Sequence, residues 1–544
     1  MRVERLQTAA MLIAILLAAV LQWSLMVGSI GSDDLGAWYQ AYEFSQGNWS
    51  ALTDYFNRIA TVRYGLSLGA APFFAVFGVS ESTSTLFPGL LNLASVAVAC
   101  DIVRRMTGSL AASFAAGLAL AASGLAVFCA TVLLPDGPMA AIGLIALWLA
   151  IIAVETPDSH PMRQAALYAA SGLMAGYAIS IKEPGAMYAA ALALWLVPLA
   201  ILHRLRWPLL FGLVGFMLAL AAELSFVWLL HGDPLAKVDR IQHTLQSIKE
   251  FQLREKGVVA PTSVGALAER SADILGSVAR DVPWSFALVV AGALAAPVVV
   301  LQRRRDPAAW LLAIAMMIFV AMRLVELTQT FGYHPRRLLP GVQLGAILTA
   351  VAAAALLARV RPPLSAGAFA LVGLAALPLV LMDLRYPQKQ RSQLFVERGI
   401  VAWLQQNRAE AERVGFYADH RTIRIIAALM GYPKQADWLE TYPVYWRPIP
   451  EGYEKPKPPI YGRNSRYVTS PELAGLVRTN PPRPDKGFWS VNPRYVRWVN
   501  RISRGQWFAA YATELPQEWS LVTIIPSSDS HDEDGKIYRI EGYR

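Results

Sequence analysis

Residues 6–34 read LQTAAMLIAILLAAVLQWSLMVGSIGSDD, a long apolar run that ends in a pair of acids. The run stays uncharged as far as Ile30 and follows a basic N-terminus. It is longer than the apolar core of a signal peptide, and no small-x-small cleavage site is clear near its end. We therefore expect an uncleaved first membrane span, with Asp33 and Asp34 directly beyond it.

The composition of the 544-residue chain also indicates a membrane protein. Hydrophobic residues make up 55% of the chain and charged residues only 16%, which is more apolar content than a soluble core usually holds. The formal net charge is +10, but the basic residues punctuate apolar runs and do not cluster on one polar domain. We therefore expect anionic membrane lipid, and not nucleic acid, as the partner of this charge.

Apolar runs of about 20 residues predict an α-helical membrane protein with about eleven spans. The runs lie at 7–30, 85–103, 109–131, 137–154, 165–181, 185–203, 208–230, 284–302, 308–328, 338–358 and 364–382. With the N-terminus in the cytoplasm, alternate loops carry the excess of Lys and Arg typical of the cytoplasmic side, and the C-terminus lies outside. Cys100 and Cys129 then fall near opposite membrane faces, so no disulfide is expected between them.

Three apolar stretches are predicted to lie at the membrane surface. Residues 66–79 are too short to span, and the charge pattern requires that they do not cross, so we expect a surface or re-entrant helix. Residues 235–251 and parts of 36–58 place apolar residues at helical spacing between polar ones, which predicts helices lying on lipid. They belong to a first outer loop, 31–84, and a later one, 231–283.

The predicted membrane domain covers residues 1–383, and a small α/β domain at the outer face covers 384–544. The second region is rich in Pro, Arg, Tyr and Trp. Alternating apolar residues at 413–419 predict a strand, and the pattern at 400–405 predicts a helix. Residues 441–498 are expected to form long ordered loops.

Acidic residues of the outer loops are the first candidates for chemistry. Asp33 and Asp34 precede an aromatic-rich helical pattern, and a carboxylate pair there can activate an acceptor or hold a cation. Asp136 lies between two spans in the same outer set. Helix capping also explains all three, because short polar side chains accept hydrogen bonds from the first N–H groups of a helix.

Basic residues are predicted on the same face. Lys182 and Glu183 end one span, where they either neutralise each other or hold a lipid-linked phosphate. His334, Arg336 and Arg337 close another outer loop. Snorkelling to lipid headgroups and binding of phosphate both explain the two arginines.

Charges inside the spans are further candidates. Glu223 lies within an otherwise apolar run, and Arg323 and Glu326 lie near the outer end of another. The sequence has no Walker loop, dinucleotide glycine pattern, CxxC pair or HExxH helix. Nucleotide-driven and zinc-protease chemistries therefore lose their usual support.

Residues 33–49, DDLGAWYQAYEFSQGNW, resemble the acidic pair, aromatic helix and Gly-Asp-Trp element of the GT-C glycosyltransferases. The aminoarabinose-transferase and protein O-mannosyltransferase group is most similar. Further matching elements follow in the same order over residues 5–380. They are Phe77-Gly78, Arg104-Arg105-Met-Thr-Gly108, Pro135-Asp136, Lys182-Glu183-Pro184 and Arg337-Leu-Leu-Pro340.

The resemblance implies transfer of a sugar from a polyprenyl-phosphate donor to a lipid, glycan or protein acceptor, with inversion. One of Asp33 and Asp34 corresponds to the family's base, although the family's pair is often Asp-Glu. Asp136 corresponds to a second acid, which is expected to bind the acceptor or, with Asp33, a divalent metal ion as a cofactor. Glu43 lies in the same first-loop element, and Arg63 stands where many relatives have Lys-Pro-Pro-Leu.

Together these elements predict a mechanism in which basic groups hold the donor phosphate while a first-loop aspartate deprotonates the acceptor. The basic groups are Arg63, Lys182 and Arg336 or Arg337. The expected location is a bacterial inner membrane.

Two other functions fit parts of the sequence. A transporter or flippase for a lipid-linked sugar predicts charges along a path through the membrane and inverted repeats, and the sequence has Glu223 within a span but no repeat. A membrane-anchored scaffold is a third interpretation, for which eleven spans are excessive.

Overall fold

A computed structural model describes most of the chain. The described residues are 2–49, 63–202, 206–242, 246, 263–327, 334–358, 362–418, 420–432, 439–441, 445–446, 487–492, 507–508, 520–526 and 534–540. Helices make up the part before Asp383, and a smaller region of helices and strands follows it. This is the predicted fold class, an α-helical membrane protein with a small C-terminal α/β region.

The helices of the first part follow the apolar runs of the sequence. They are α1 (Arg2–Ser24), α2 (Asp33–Ser45), α3 (Tyr64–Phe77), α4 (Glu81–Ser84), α5 (Leu86–Thr107), α6 (Leu110–Ala121), α7 (Gly124–Ala130), α8 (Asp136–Glu155), α9 (Pro161–Ile181), α10 (Ala186–Ile201), α11 (Leu210–His231), α12 (Val264–Asp281), α13 (Pro283–Gln302), α14 (Pro307–Leu327), α15 (Leu339–Leu357) and α16 (Pro362–Asp383). Among the described residues, seven helices are long and apolar enough to cross a membrane, or up to eight if one bent pair counts as a span. The count of eleven stays a prediction.

Helix α11 shows why this bundle needs a lipid environment. Its leucines at 210, 218 and 229 are all exposed. Exposed apolar side chains along a whole helix are unfavourable in water and favourable against lipid tails. The opposite side of α11 packs tightly on α9, because a Cβ on Gly172 would lie 1.9 Å from the carbonyl oxygen of Gly212.

The predicted span 109–131 is broken in the structure. Helices α6 and α7 meet at an angle of 62°. The hydroxyl of Ser123 accepts a hydrogen bond from the backbone N–H of Ala126 at 3.1 Å, which starts the second helix. The carboxylate of Asp383 accepts a further one from the N–H of Gly124 at 2.7 Å. The break therefore joins the membrane part to the start of the C-terminal region.

The surface helices differ partly from the prediction. Helix α3 has 14 residues, too few for a span, as expected. The residues of α2 are nearly all buried, so the expectation that 36–45 lie on lipid is wrong: their aromatic side chains pack inside the protein. Residues 236–242 are helical as predicted, whereas 247–251 lie outside the described residues. A long amphipathic helix, α12, precedes α13.

The C-terminal region packs helices on a mixed sheet. Its elements are α17 (Arg385–Arg391), α18 (Phe395–Gln406), α19 (Arg408–Val414), β1 (Phe416–Ala418), α20 (His420–Leu429), β2 (Leu439–Thr441), β3 (Tyr445–Trp446), β4 (Gly487–Val491), β5 (Trp507–Phe508), β6 (Ser520–Ile525) and β7 (Gly535–Ile540). Five strands form one sheet in the order β2-β1-β4-β7-β6, in which β1 runs parallel to both its neighbours. The predicted helix at 400–405 lies within α18, whereas the strand predicted at 413–419 is present only as β1, because residues 413 and 414 end α19. Most of 441–498 lies outside the described residues.

Candidate functional site

The two adjacent acids after the first helix have different environments. Asp34 is fully buried, and its carboxylate accepts hydrogen bonds from the Ser29 hydroxyl at 2.5 Å and from the backbone N–H groups of Ile30 at 3.0 Å and Ser32 at 2.7 Å. All three donors precede α2, so Asp34 holds the connecting segment and does not cap the helix. Burial raises the pKa of Asp34, although these hydrogen bonds oppose the effect.

Asp33, by contrast, keeps an accessible carboxylate. Its side chain is 41% exposed, and its Oδ2 atom accepts a hydrogen bond from Nη2 of Arg336 at 2.9 Å. Burial alone would raise the pKa of Asp33, but the charges of Arg336 and Arg63 outweigh it, so the pKa lies below its ordinary value. Asp33 is therefore an ionised carboxylate at neutral pH.

Asp136 lies deeper in the same place. It is the first residue of α8, and its side chain is 2% exposed. Nζ of Lys182 donates a hydrogen bond to its Oδ1 atom at 2.5 Å. Nε of Arg336 lies 3.4 Å from Oδ2 without the geometry of a hydrogen bond, and neither of these buried atoms has a hydrogen-bond partner among the described residues. Asp136 thus holds two cations and does not cap its helix.

A second ion pair borders this centre. Arg63, immediately before α3, donates from Nη2 to Glu183 at 3.0 Å. We use the name "charged cluster" for six side chains brought together here. They are Asp33, Arg63, Asp136, Lys182, Glu183 and Arg336.

Helix ends bring the charged cluster together. Asp33 and Asp136 occupy the first positions of α2 and α8, where the positive end of each helix favours a carboxylate. Lys182 directly follows α9, and Arg336 lies in a single turn, Pro335–Leu338, that leads into α15. Residues distant in sequence thus meet at one end of the bundle, as the predicted shared face requires.

His334 and Arg337, which come from the same loop as Arg336, make other contacts. Arg337 lies 3.5 Å from Glu326, which also accepts a hydrogen bond from Arg323 at 2.7 Å, so Arg337 belongs to a neighbouring ion pair. Partial burial and the guanidinium groups of Arg336 and Arg337 lower the pKa of His334 to about 4. His334 is therefore a neutral side chain at physiological pH.

Glu43 and Glu223 each pair with a residue outside the charged cluster. Glu43 accepts a hydrogen bond from the side chain of Asn48 at 2.7 Å and so fixes the turn after α2. Glu223 pairs with Lys237, a partner not recognised from the sequence. A neutralised carboxylate gives no support to a charged path through the membrane.

The metal site expected on Asp33 and Asp136 stays a prediction. In the structure both carboxylates contact Arg336. Within the described ranges, no group of three or more His, Cys, Asp or Glu side chains could hold a metal ion. The positive charge at this position comes from the chain itself.

Comparisons with known proteins agree with the predicted resemblance. Residues 67–226 match the model of the dolichyl-phosphate-mannose-protein mannosyltransferase family. The structure is similar to that of ArnT from Cupriavidus metallidurans in the apo state, with a TM-score of 0.52, 14% identity and 99% of each chain covered. The same protein bound to undecaprenyl phosphate matches with a TM-score of 0.52, 15% identity, and 98% of this chain and 99% of that chain covered.

A third structure is less similar. It is the archaeal oligosaccharyltransferase AglB from Archaeoglobus fulgidus, in complex with an inhibitory peptide and a dolichol-phosphate. The TM-score is 0.47 at 14% identity, and the match covers 78% of this chain but only 63% of that one. A comparison with curated proteins gave no match.

The chain therefore shares its fold with ArnT over nearly its whole length. The family match covers Asp136 and Lys182, two members of the charged cluster. The predicted fold is confirmed, and a glycosyltransferase activity is a proposal.

Proposed function

We propose that this chain transfers a sugar from a polyprenyl-phosphate donor to an acceptor at the outer face of a bacterial inner membrane. The observation that carries the proposal is the contact of Arg336 with both Asp33 and Asp136. It sets a partly exposed carboxylate beside cations that can bind phosphate. The undecaprenyl phosphate held by ArnT and the match to a dolichyl-phosphate-mannose family support a lipid-phosphate donor.

Asp33 is the proposed base. Its carboxylate takes the proton of an acceptor hydroxyl while the acceptor oxygen attacks the anomeric carbon. The bond from that carbon to the phosphate oxygen breaks, and its electron pair leaves on the phosphate, which stays attached to its lipid. Attack opposite the leaving group inverts the configuration of the anomeric carbon. The low pKa of Asp33 keeps the carboxylate ionised at neutral pH, as a base must be.

Arg336, Lys182 and Arg63 are the proposed phosphate ligands. Each of the three cations contacts a carboxylate in the charged cluster. Within the part of the chain that the structure describes, the buried Nε of Arg336 has no hydrogen-bond partner, so the guanidinium has a donor available for a phosphate oxygen. Positive charge at this position stabilises the negative charge that develops on the departing phosphate, which lowers the barrier for transfer.

The remaining two acids have positioning roles in this proposal. Asp34 fixes the segment before α2 through three hydrogen bonds, which engage both oxygens of this buried carboxylate. Asp136 sets the spacing of Lys182 and Arg336. The base is therefore Asp33, although both acids of the pair match the sequence pattern.

The proposal is tested by supplying purified protein with a polyprenyl-phosphate sugar and extracted cell-envelope acceptors. Transfer releases free polyprenyl phosphate, whereas a transporter leaves the donor bond intact, and that second result would sink the proposal. The labelled product shows whether the acceptor is a lipid, a glycan or a protein. Asp281→Asn is a matched control, because Asp281 pairs with Lys389 in an exposed contact away from the charged cluster.

A further inference from the structure

The C-terminal region reaches the segment that carries the acidic pair. Arg398, in α18, donates from Nη2 to the carbonyl oxygen of Val27 at 2.8 Å and to that of Ser29 at 3.1 Å. Its Nη1 atom donates to the carbonyl oxygen of Arg391 at 2.6 Å, which fixes the guanidinium on its own domain. One side chain therefore binds the backbone that follows α1.

Glu81 completes the attachment. The guanidinium of Arg398 donates to its carboxylate from Nη2 at 2.7 Å and from Nε at 3.2 Å. The same carboxylate accepts a hydrogen bond from the backbone N–H of Ser29 at 2.9 Å. The N–H and the C=O of Ser29 are thus both held, and its hydroxyl donates to Asp34. The bonds are partly buried, and charge-assisted hydrogen bonds are among the stronger ones in proteins.

The backbone of this segment needs such support. Gly28 and Gly31 both have positive φ angles, of +80° and +66°, a conformation that favours glycine. A Cβ on Gly28 would lie 2.3 Å from a carboxylate oxygen of Glu81, and one on Gly31 would lie 2.8 Å from Ile425 in α20. The segment is therefore enclosed by groups from other parts of the chain.

A second contact holds α2 itself. The ring of Tyr432, three residues after α20, lies 5.7 Å from the ring of Tyr39 and 4.9 Å from that of Tyr42, measured between ring centroids. Tyr432 adopts a φ of +53°, which is uncommon for a residue other than glycine. The C-terminal region thus contacts the segment before Asp33 and the helix that Asp33 begins.

We propose that Arg398 is a positioning residue for the transfer reaction. Through Ser29 and Asp34 it holds the segment 27–32 in the conformation that points Asp33 at Arg336. This inference rests on the proposed function and assigns the C-terminal region a part in it. Arg398 touches no reacting atom, so its effect is on the placement of the base.

The test compares Arg398→Ala and Arg398→Lys with the wild-type protein. Arg398→Ala is expected to lower kcat by about 10–100-fold while the donor KM changes by less than about twofold, because a misplaced base slows the chemistry and leaves phosphate binding in place. Arg398→Lys keeps the charge beside Glu81 and is expected to recover part of kcat. Arg408→Ala, which removes an exposed pair with Glu412, is the matched control.

The pH profile separates placement from general damage. When Asp33 moves from Arg336, its pKa is no longer lowered by that charge. The acidic limb of the kcat profile of Arg398→Ala is then expected to move to higher pH. The positioning role would be contradicted if kcat of Arg398→Ala fell by the same factor at every pH and kcat of Arg398→Lys were equally low.

A labelling experiment is independent of activity. Ile30, in the same segment, is only 8% exposed, so a cysteine at this position becomes accessible only when the segment opens. Both native cysteines are buried. Maleimide labelling of Ile30→Cys is expected to be at least about fivefold faster in the Arg398→Ala background, and an unchanged rate overturns the inference. If the wild-type protein shows no transfer while labelling accelerates, the proposed function fails and the structural link stands.

Discussion

The Lys182→Met substitution removes the ammonium that pairs with Asp136 while keeping an unbranched side chain of similar length. The two groups are 2.5 Å apart, and their side chains are 9% and 2% exposed. Removing one member of a buried ion pair costs about 3–5 kcal/mol, because the other charge is left without compensation. Arg336 remains 3.4 Å from Asp136 and compensates in part, so we expect about 3 kcal/mol.

The double variant Lys182→Met/Asp136→Leu isolates the pair from the rest of the cluster. If the costs of the two single changes were additive, the double variant would lose about 6 kcal/mol. We expect it to lose no more than either single variant, since it leaves neither charge buried alone. The free energy of unfolding in mixed detergent micelles with increasing sodium dodecyl sulfate measures all three.

The exposed pair of Arg408 and Glu412 serves as the control for this double-mutant comparison. Its members are four residues apart on one helix, and breaking the pair is expected to cost at most about 0.5 kcal/mol. The reasoning is refuted if the free energy of unfolding of Lys182→Met equals that of the wild-type protein. It is also refuted if the losses caused by Lys182→Met and Asp136→Leu are additive in the double variant.

Three further results are expected. Arg63→Ala removes a charge-assisted phosphate contact worth about 1.5–3 kcal/mol, so the donor KM should rise about 10–100-fold in steady-state assays, and an unchanged KM would remove Arg63 from the donor site. The pKa of His334 is lowered to about 4 and that of Asp33 lies below its ordinary value, so kcat should fall on acidification only below pH 5. The pH profile of His334→Gln between pH 5 and 8 should therefore equal that of the wild-type protein. A step in kcat near pH 6.5 that vanishes in His334→Gln would contradict this expectation. Gly124→Ala places a Cβ 2.0 Å from the carbonyl oxygen of Asp383, so thermal unfolding should show a loss of about 1–3 kcal/mol, and a stable Gly124→Ala protein would mean that this junction can relax.

The spans and the shared position of the polar loops could be predicted because hydropathy and loop charge are local properties of the sequence. The break at Ser123 could not, because its cause is the Asp383 carboxylate, 259 residues away from Gly124 in sequence. The burial of α2 was missed for a similar reason. Its aromatic pattern fits a lipid surface as well as the protein interior, and its contact with Tyr432 decides between them.

The candidate site shows the same limit. The sequence identified Asp33, Asp34 and Asp136 as candidates but could not rank two adjacent aspartates, because their roles depend on which side faces the Ser29 turn. Arg398 has no local signal at all: its bond to the carbonyl oxygen of Val27 joins residues 371 positions apart. Because Arg398 binds the backbone of a distant segment, its contact does not depend on which side chains that segment has and leaves no motif in the sequence.

The most direct test of Asp33 as the base is the turnover number of Asp33→Asn for release of free polyprenyl phosphate, measured beside the wild-type protein at equal concentrations of folded enzyme. We expect a fall of about 10²–10⁴-fold, the range for loss of a general base, with an unfolding midpoint close to that of the wild type. Asp34→Asn should instead lower both turnover and stability, because it disrupts three hydrogen bonds. Turnover by Asp33→Asn within about threefold of the wild type would contradict the assignment of Asp33 as the base.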